Sequence, residues 1–331
     1  LINVEDGFQL WSDRYDGMLE NVFEVQDDIA ANVVSSLKGV FTLEEKEKIK
    51  HIETSKEAYE YFLKGKEHLN NLDFNGARLI FEKAIELDPN YAPAYTGLTK
   101  SFCWLYEWSG SKEEDLQQAD LNSIKALKLA PNLSESHSSR GHVLALSKKY
   151  EEAEKEFEEA IKLNPNSFDA YYPYARSCFA RGQIEKSVEL FKKASEVQRD
   201  DFQSLSLCAQ SLRILNRNDD ALNVATETVL RARRQLDLEP KNVRALSLIP
   251  LGLDEIGKKE EAFEWVEKGL ELYPNDQGML TNAACLYAKN NLKEKALDLL
   301  ETIWDKGYGY KDWIKNDPDY DSLRDEPRFK K

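Results

Sequence analysis

The sequence predicts an all-α protein of 331 residues, a right-handed superhelix of about seven antiparallel helix pairs with a short N-terminal β-hairpin. Three observations carry that prediction. Prolines recur at positions 89, 131, 165, 240 and 274, so they are separated by 42, 34, 75 and 34 residues. The interval of 75 divides as 34 plus 41 around Ser187, Phe191, Ala194 and Arg199, a segment that keeps the pattern without its proline. Small and aromatic residues recur in step, as in Ala77, Phe81, Ala84 and again in Ala153, Phe157, Ala160. Finally, the chain has only 15 Gly and 10 Pro, few for a fold built on many β-turns.

The elements follow in order. Leu1–Val4, an Asp6-Gly7 turn and Phe8–Trp11 read as a hairpin. Glu20–Leu37 reads as an amphipathic helix with Val22, Val25, Ile29, Val33 and Leu37 on one stripe. A lone hairpin is unstable in water. With Leu1 rather than Met at the start, the expectation is that the natural beginning lies upstream, or that the hairpin pairs with another chain. The first repeat opens with a helix over Ala58–Asn70, turns at Asn71–Phe74 and returns over Ala77–Leu87. Asp88-Pro89-Asn90 stops it, because proline cannot continue the helical ladder. Repeats are expected at 58–91, 92–133, 134–167, 168–201, 202–242, 243–276 and 277–310. The second carries extra residues near Ser109–Leu116, and the fifth carries Arg231–Asp237, which extend its second helix. Gly65, Gly141, Ala175 and Ala209 in first helices, with Ala77, Ala153 and Ala221 in second helices, let paired helices approach closely. The domain scheme is 1–50, the hairpin, helix and linker; 51–310, the repeat array; and 311–331, a tail that closes the last repeat.

Composition narrows the function. Lys plus Arg is 45 and Asp plus Glu is 60, a net charge of −15. That excess disfavours nucleic acid, whose backbone is bound by surplus Lys and Arg, and disfavours an anionic membrane surface. The most apolar stretch, Ala245–Leu253, is too short to span a bilayer. Cys103, Cys178, Cys208 and Cys285 form no CxxC and read as buried reduced thiols, which fits a cytoplasmic location. No nucleophile elbow, phosphate-binding loop, zinc-protease or dinucleotide motif occurs, so no enzyme, cofactor or metal is expected. His137 and His142 are five apart and do not share a helical face. The carboxylate run Glu151–Glu159 reads as a solvated face interleaved with lysines.

The 34-residue period, with small residues at positions eight and twenty, an aromatic at four or twenty-four and proline at thirty-two, resembles the tetratricopeptide repeat family over about residues 58–308. The two ends resemble bacterial signalling proteins that carry a TolB-like segment ahead of such repeats: Gly7-Phe8-Gln9-Leu10-Trp11-Ser12 and Val22–Ala30 at the start, Asp317-Pro318-Asp319 and Pro327-Arg328-Phe329 at the finish. In that group a cyclase, a kinase or a winged-helix regulator precedes the repeats.

The family resemblance implies a protein-interaction scaffold whose groove is lined by first helices. The groove row at position nine reads Lys66, Lys100, His142, Arg176 and Gln210, with Arg213 and Arg244 nearby. Tyr59, Phe62, Tyr172 and Phe179 flank it. Such a row suits an acidic, extended peptide, with Arg176 able to grip a carboxylate bidentately. The residues that clamp C-terminal carboxylates in chaperone-binding members are not matched by Phe62, Gly97, Glu135 or Ser139. Replacing Lys100 and Arg176 together by Ala should weaken binding and leave the melting temperature nearly unchanged. The alternative reading is a regulatory region acting within a larger signalling enzyme or transcription regulator; a third is self-association through the hairpin.

Overall fold

The computed structural model describes residues 54–308, 314 and 317–330, and among them every regular element is helical. The expected hairpin and the helix over Glu20–Leu37 lie outside the described residues. Seven helix pairs follow one another: α1 Lys56–Asn70 with α2 Phe74–Leu87, α3 Ala92–Trp108 with α4 Glu113–Leu129, and α5 Ser134–Leu146 with α6 Tyr150–Leu163. Then come α7 Phe168–Ala180 with α8 Ile184–Val197, α9 Gln203–Ile214 with α10 Asn218–Leu238, α11 Val243–Glu255 with α12 Lys259–Leu272, and α13 Gln277–Lys289 with α14 Lys293–Asp305. A short 3-10 helix, Pro318–Leu323, ends the described chain's regular structure. The chain divides into two compact units, residues 1–98 and 99–331.

In the first unit, α1 starts where Ser55 caps it, its hydroxyl accepting from the Ala58 amide, and α2 starts at Asp73, which accepts from Gly76. Phe81 is fully buried between Gly65 and Gly97. A Cβ on Gly97 would lie 2.4 Å from the Phe81 ring, so only glycine lets the helices close over it. Tyr59, Phe62 and Tyr91 pack around Ala84 and Ala94 to complete this small core.

The second unit repeats the device: Gly141 faces Phe157, and Ala153 and Ala160 are buried beside it. Its first helices also touch one another, α5 against α7, α9 against α11 and α11 against α13, forming an inner layer, while each second helix packs outside its own partner. The inner layer curls on itself. A Cβ on Gly110, just after α3, would lie 2.9 Å from the Gly307 carbonyl, and one on Gly278 would lie 3.8 Å from the Trp108 ring. On the inner wall of this unit Glu107 and His142 are buried, while Lys100 and Arg213 stay partly open to solvent. Six of the seven helix-to-helix turns inside a repeat use one residue in the left-handed region: Gly182 and Gly257 supply it without strain, while Leu72, Lys148, Asn216 and Asn291 adopt it at φ of 57–61°; the turn from α3 to α4 uses two, Gly110 and Ser111.

Candidate interaction groove

In the first unit, Lys66 is exposed and sits 5.7 Å over the Phe62 ring. Phe62 itself stacks on Tyr59 and packs edge-on against Tyr91 at 5.4 Å, so both aromatics serve the local core as much as any surface.

In the second unit Lys100, His142 and Arg176, expected in one row, are each matched by an acid of the same unit. Lys100 on α3 pairs with Asp169 at the start of α7. Arg176 on α7 donates to Glu107 of α3 at 2.7 Å, and His142 Nε2 of α5 lies 3.4 Å from the other Glu107 oxygen. The Glu107 side chain is only 4% exposed and that of Arg176 13%. Burial pushes the Glu107 carboxyl up, but the Arg176 charge, helped by His142, overrides it and holds the pKa down at about 2. Aromatic faces wall this cluster. Arg176 lies 5.3 Å from the centre of Trp104 and 5.8 Å from that of Tyr172, and Trp104 meets His142 edge-on. Tyr172 is buried and stacks on Phe168, and Phe179 is buried with it in the core of these repeats.

This changes one expectation. Arg176 is not a solvated side chain: replacing it with Ala leaves the buried Glu107 carboxylate with His142 alone, which destabilises by about 3 kcal/mol. His142 is likewise buried rather than open in the row. Arg244, at the start of α11, is partly reached by solvent but enclosed enough that burial pulls its pKa below the usual guanidinium value.

Towards the C-terminus the row already holds an acidic segment, the chain's own tail. Gln210 of α9 donates to Asp317 at 2.8 Å and to Asp319 at 3.0 Å. Arg213, one turn further along α9, pairs with Asp319 and reaches Glu255 at 3.3 Å. Lys289 of α13 joins Asp254 and Glu255 at 3.0 and 3.1 Å. Tyr320 is fully buried, its hydroxyl beside Cys285 and the Thr281 carbonyl. Phe329 packs near Trp304 and Tyr320. Cys285, Asp317 and Asp319 present their ligand atoms within 4.8 Å of one another, but Gln210, Arg213 and Tyr320 already engage them. The four cysteines are free and buried, which raises their thiol pKa values, so none is poised as a nucleophile.

Three participants escaped sequence reasoning. Glu107 and Trp104 stand in the apolar run Phe102–Trp108, where a single acid is the visible signal. Glu154, expected to be solvated, accepts from the Tyr174 hydroxyl at 2.8 Å and pairs with Lys186, and these bonds lower its pKa. No helix among the described residues is long and apolar enough to cross a membrane.

Comparison with known proteins places these repeats. Two tetratricopeptide repeat models match, over residues 61–91 and 144–211. "Putative adenylate cyclase 3" of Rhizobium meliloti is 26% identical over 160 residues, 46% of this chain and 27% of the relative. "Protein STIP1 homolog" of Dictyostelium discoideum is 30% identical over 115 residues, 35% of this chain and 19% of that protein. The chain thus spans about a quarter or less of the length of these curated relatives. Among solved structures, a human IFIT1 dimer with m7Gppp-AAAA superposes with a TM-score of 0.59 at 17% identity, covering 90% of this chain and 67% of that one, a likeness of fold alone.

Proposed function

We propose that this chain, a tetratricopeptide-repeat protein, is a non-enzymatic scaffold that holds an acidic, extended peptide of a partner protein along the inner wall formed by its first helices. The observation that carries this reading is the tail: Asp317 and Asp319 lie on the wall, received by Gln210 and Arg213 at repeat positions nine and twelve. A surface that takes an acidic segment of its own chain offers the same chemistry to one from another. The catalytic alternative lacks support from the inner wall, whose one strongly perturbed carboxyl, Glu107, is held ionised by a cation and is enclosed. Catalysis elsewhere in a longer protein is a separate matter, and the likeness to the Rhizobium cyclase extends over only 27% of that relative.

A peptide array probed with the full chain tests the reading. Acidic sequences should be retained at low salt and released at high salt, because partly open charges are screened beyond about 8 Å at physiological ionic strength. Retention of basic or uncharged sequences instead would refute it.

A further inference from the structure

The longest helix among the described residues, α10, carries two turns that the repeat does not need, the Arg231–Asp237 insertion. The extension is firmly built. Arg231 donates to the Ser195 and Asp201 carbonyls, both at 3.1 Å, Ala232 is fully buried and Leu236 packs on the core. Its outward side is a different matter. Asn218, Leu222, Thr226, Leu230, Arg234 and Leu238 are spaced four apart, and all six are exposed. That spacing makes them one ridge, inclined to the helix axis. Within it Leu222, Leu230 and Leu238 are 44%, 46% and 79% exposed. A single exposed leucine is ordinary on a protein surface. The neighbouring outer helices show how far three in one ridge depart from that: α6, α8 and α14 expose no large apolar side chain, α12 exposes Leu272, and α4 exposes Leu121 and Ile124.

The ridge is self-complementary. Turned end for end about Leu230, it sets Leu222 against Leu238, Thr226 against Arg234 and Leu230 against itself. The charges agree with that pairing. Asn218–Val229 holds three acids, Asp219, Asp220 and Glu227, and no base; Leu230–Leu238 holds Arg231, Arg233 and Arg234 against the single acid Asp237. Antiparallel copies bring the acidic half to the basic half, whereas parallel copies set like against like. Arg234 lies on the ridge itself, is exposed, and comes level with Thr226 of the second copy, one residue from its Glu227, whose side chain is 41% exposed.

We propose that the outer ridge of α10 is a self-association surface, on which two copies of this chain pack antiparallel about Leu230 as an isologous dimer. Ridges of residues four apart interlock at a crossing of about −50°. The contact is one helix pair, smaller than the roughly 1,200 Å² that stable complexes bury, so the dimer is reversible and depends on concentration. The insertion has a purpose in this arrangement: it supplies the turns that carry Arg234 and Leu238 level with Thr226 and Leu222. Because α10 belongs to the outer layer, the pairing does not use the inner wall and is independent of what that wall binds.

Sedimentation velocity of the full chain, from about 10 μM to about 1 mM, covers the window for a contact of this size. Wild type should pass from monomer to dimer. Leu230→Glu, which sets two like charges together on the two-fold axis, should stay monomeric throughout. Leu238→Ser should weaken the dimer roughly tenfold, and Arg234→Glu by a smaller factor. Leu272→Glu, at an exposed leucine off the ridge, should leave association unchanged. Wild type that stays monomeric to the highest concentration overturns the proposal, as does Leu230→Glu that dimerises like wild type. Loss of the dimer in Leu272→Glu would place the contact elsewhere and also overturn it. A nitroxide on Asn223→Cys settles the direction, the four native cysteines being buried. Asn223 lies seven residues before Leu230, so antiparallel copies hold their labels about 20 Å apart, at 1.5 Å of rise per residue on each side. Labels in direct contact would mean parallel pairing and overturn the proposed register.

Discussion

Two stretches of the same inner wall neutralise their cations differently. Around α3, α5 and α7 the counter-charge is a fixed part of the repeats: Glu107 sits in a helix, is almost wholly enclosed and is shared by Arg176 and His142. Around α9, α11 and α13 part of it comes from the tail, through Asp317 and Asp319 on Gln210 and Arg213. Here Arg213 keeps Glu255 when the tail carboxylate is lost, and its side chain is 29% exposed. The first arrangement is almost closed to water; the second is partly open to it and has a second acid in reach of Arg213. The contrast teaches that a cation in this row is costly to strand where its counter-charge is fixed and enclosed, as for Arg176, and less so where a second acid and water stand by, as for Arg213.

The largest expected effect breaks the first arrangement. Glu107→Gln should destabilise the chain by about 3–5 kcal/mol, because it strands the Arg176 charge in an enclosed site. Its pH dependence has a definite sign. The carboxyl titrates at about 2 in the folded chain, against roughly 4.3 unfolded. The stabilisation is therefore complete above the unfolded value and is lost as the pH falls through about 2. Denaturant melts of wild type and Glu107→Gln should differ fully at neutral pH and converge on acidification; a constant gap would mean that the carboxyl is not the source.

The tail comes next. Asp319→Asn should lower stability by about 1–3 kcal/mol, the range for a buried charged hydrogen bond that keeps an amide in place. A loss as large as that of Glu107→Gln would erase the proposed difference between the two stretches. Chemical denaturation of the two single variants side by side decides this.

The repeat framework common to both stretches gives a third prediction. Ala153 is buried against its partner helix, while Glu152 beside it is exposed. Ala153→Leu should cost about 1–3 kcal/mol by overpacking, and Glu152→Leu no more than about 0.5 kcal/mol. Equal shifts in melting temperature would mean the helix pairs are out of register. The smallest effect concerns the turns. Lys148 holds φ at 61° where Gly182 holds 74° in the next repeat. Lys148→Gly should stabilise and Gly182→Ala destabilise, each by up to about 1 kcal/mol, in thermal melts.

How much of this was legible in the sequence follows from the kind of information a repeat carries. Proline, alanine and phenylalanine at a period of 34 report on contacts within a repeat or with its neighbour, and those helices formed as expected. What faces the groove positions was not legible. Glu107 and Arg176 are 69 residues apart, and Asp319 and Arg213 are 106 apart. Such pairings depend on how the inner layer curls, which arises from small rotations accumulated over several repeats. The sequence shows that Arg176 points inward; it does not show that an acid two repeats earlier reaches the same spot. Glu154 teaches the same lesson on the outer layer, where an acid in a charged run bonds across to Tyr174 and Lys186 of the next repeat.

The central claim is that the inner wall of first helices is the face that receives an acidic partner peptide. Hydrogen–deuterium exchange on the full chain, with and without hexaglutamate, tests it most directly. The account predicts added protection in α7, α9 and α11, the helices that carry Arg176, Gln210, Arg213 and Arg244, and unchanged exchange in α8, α10 and α12. Protection confined to the second helices, or none at saturating peptide, would contradict it.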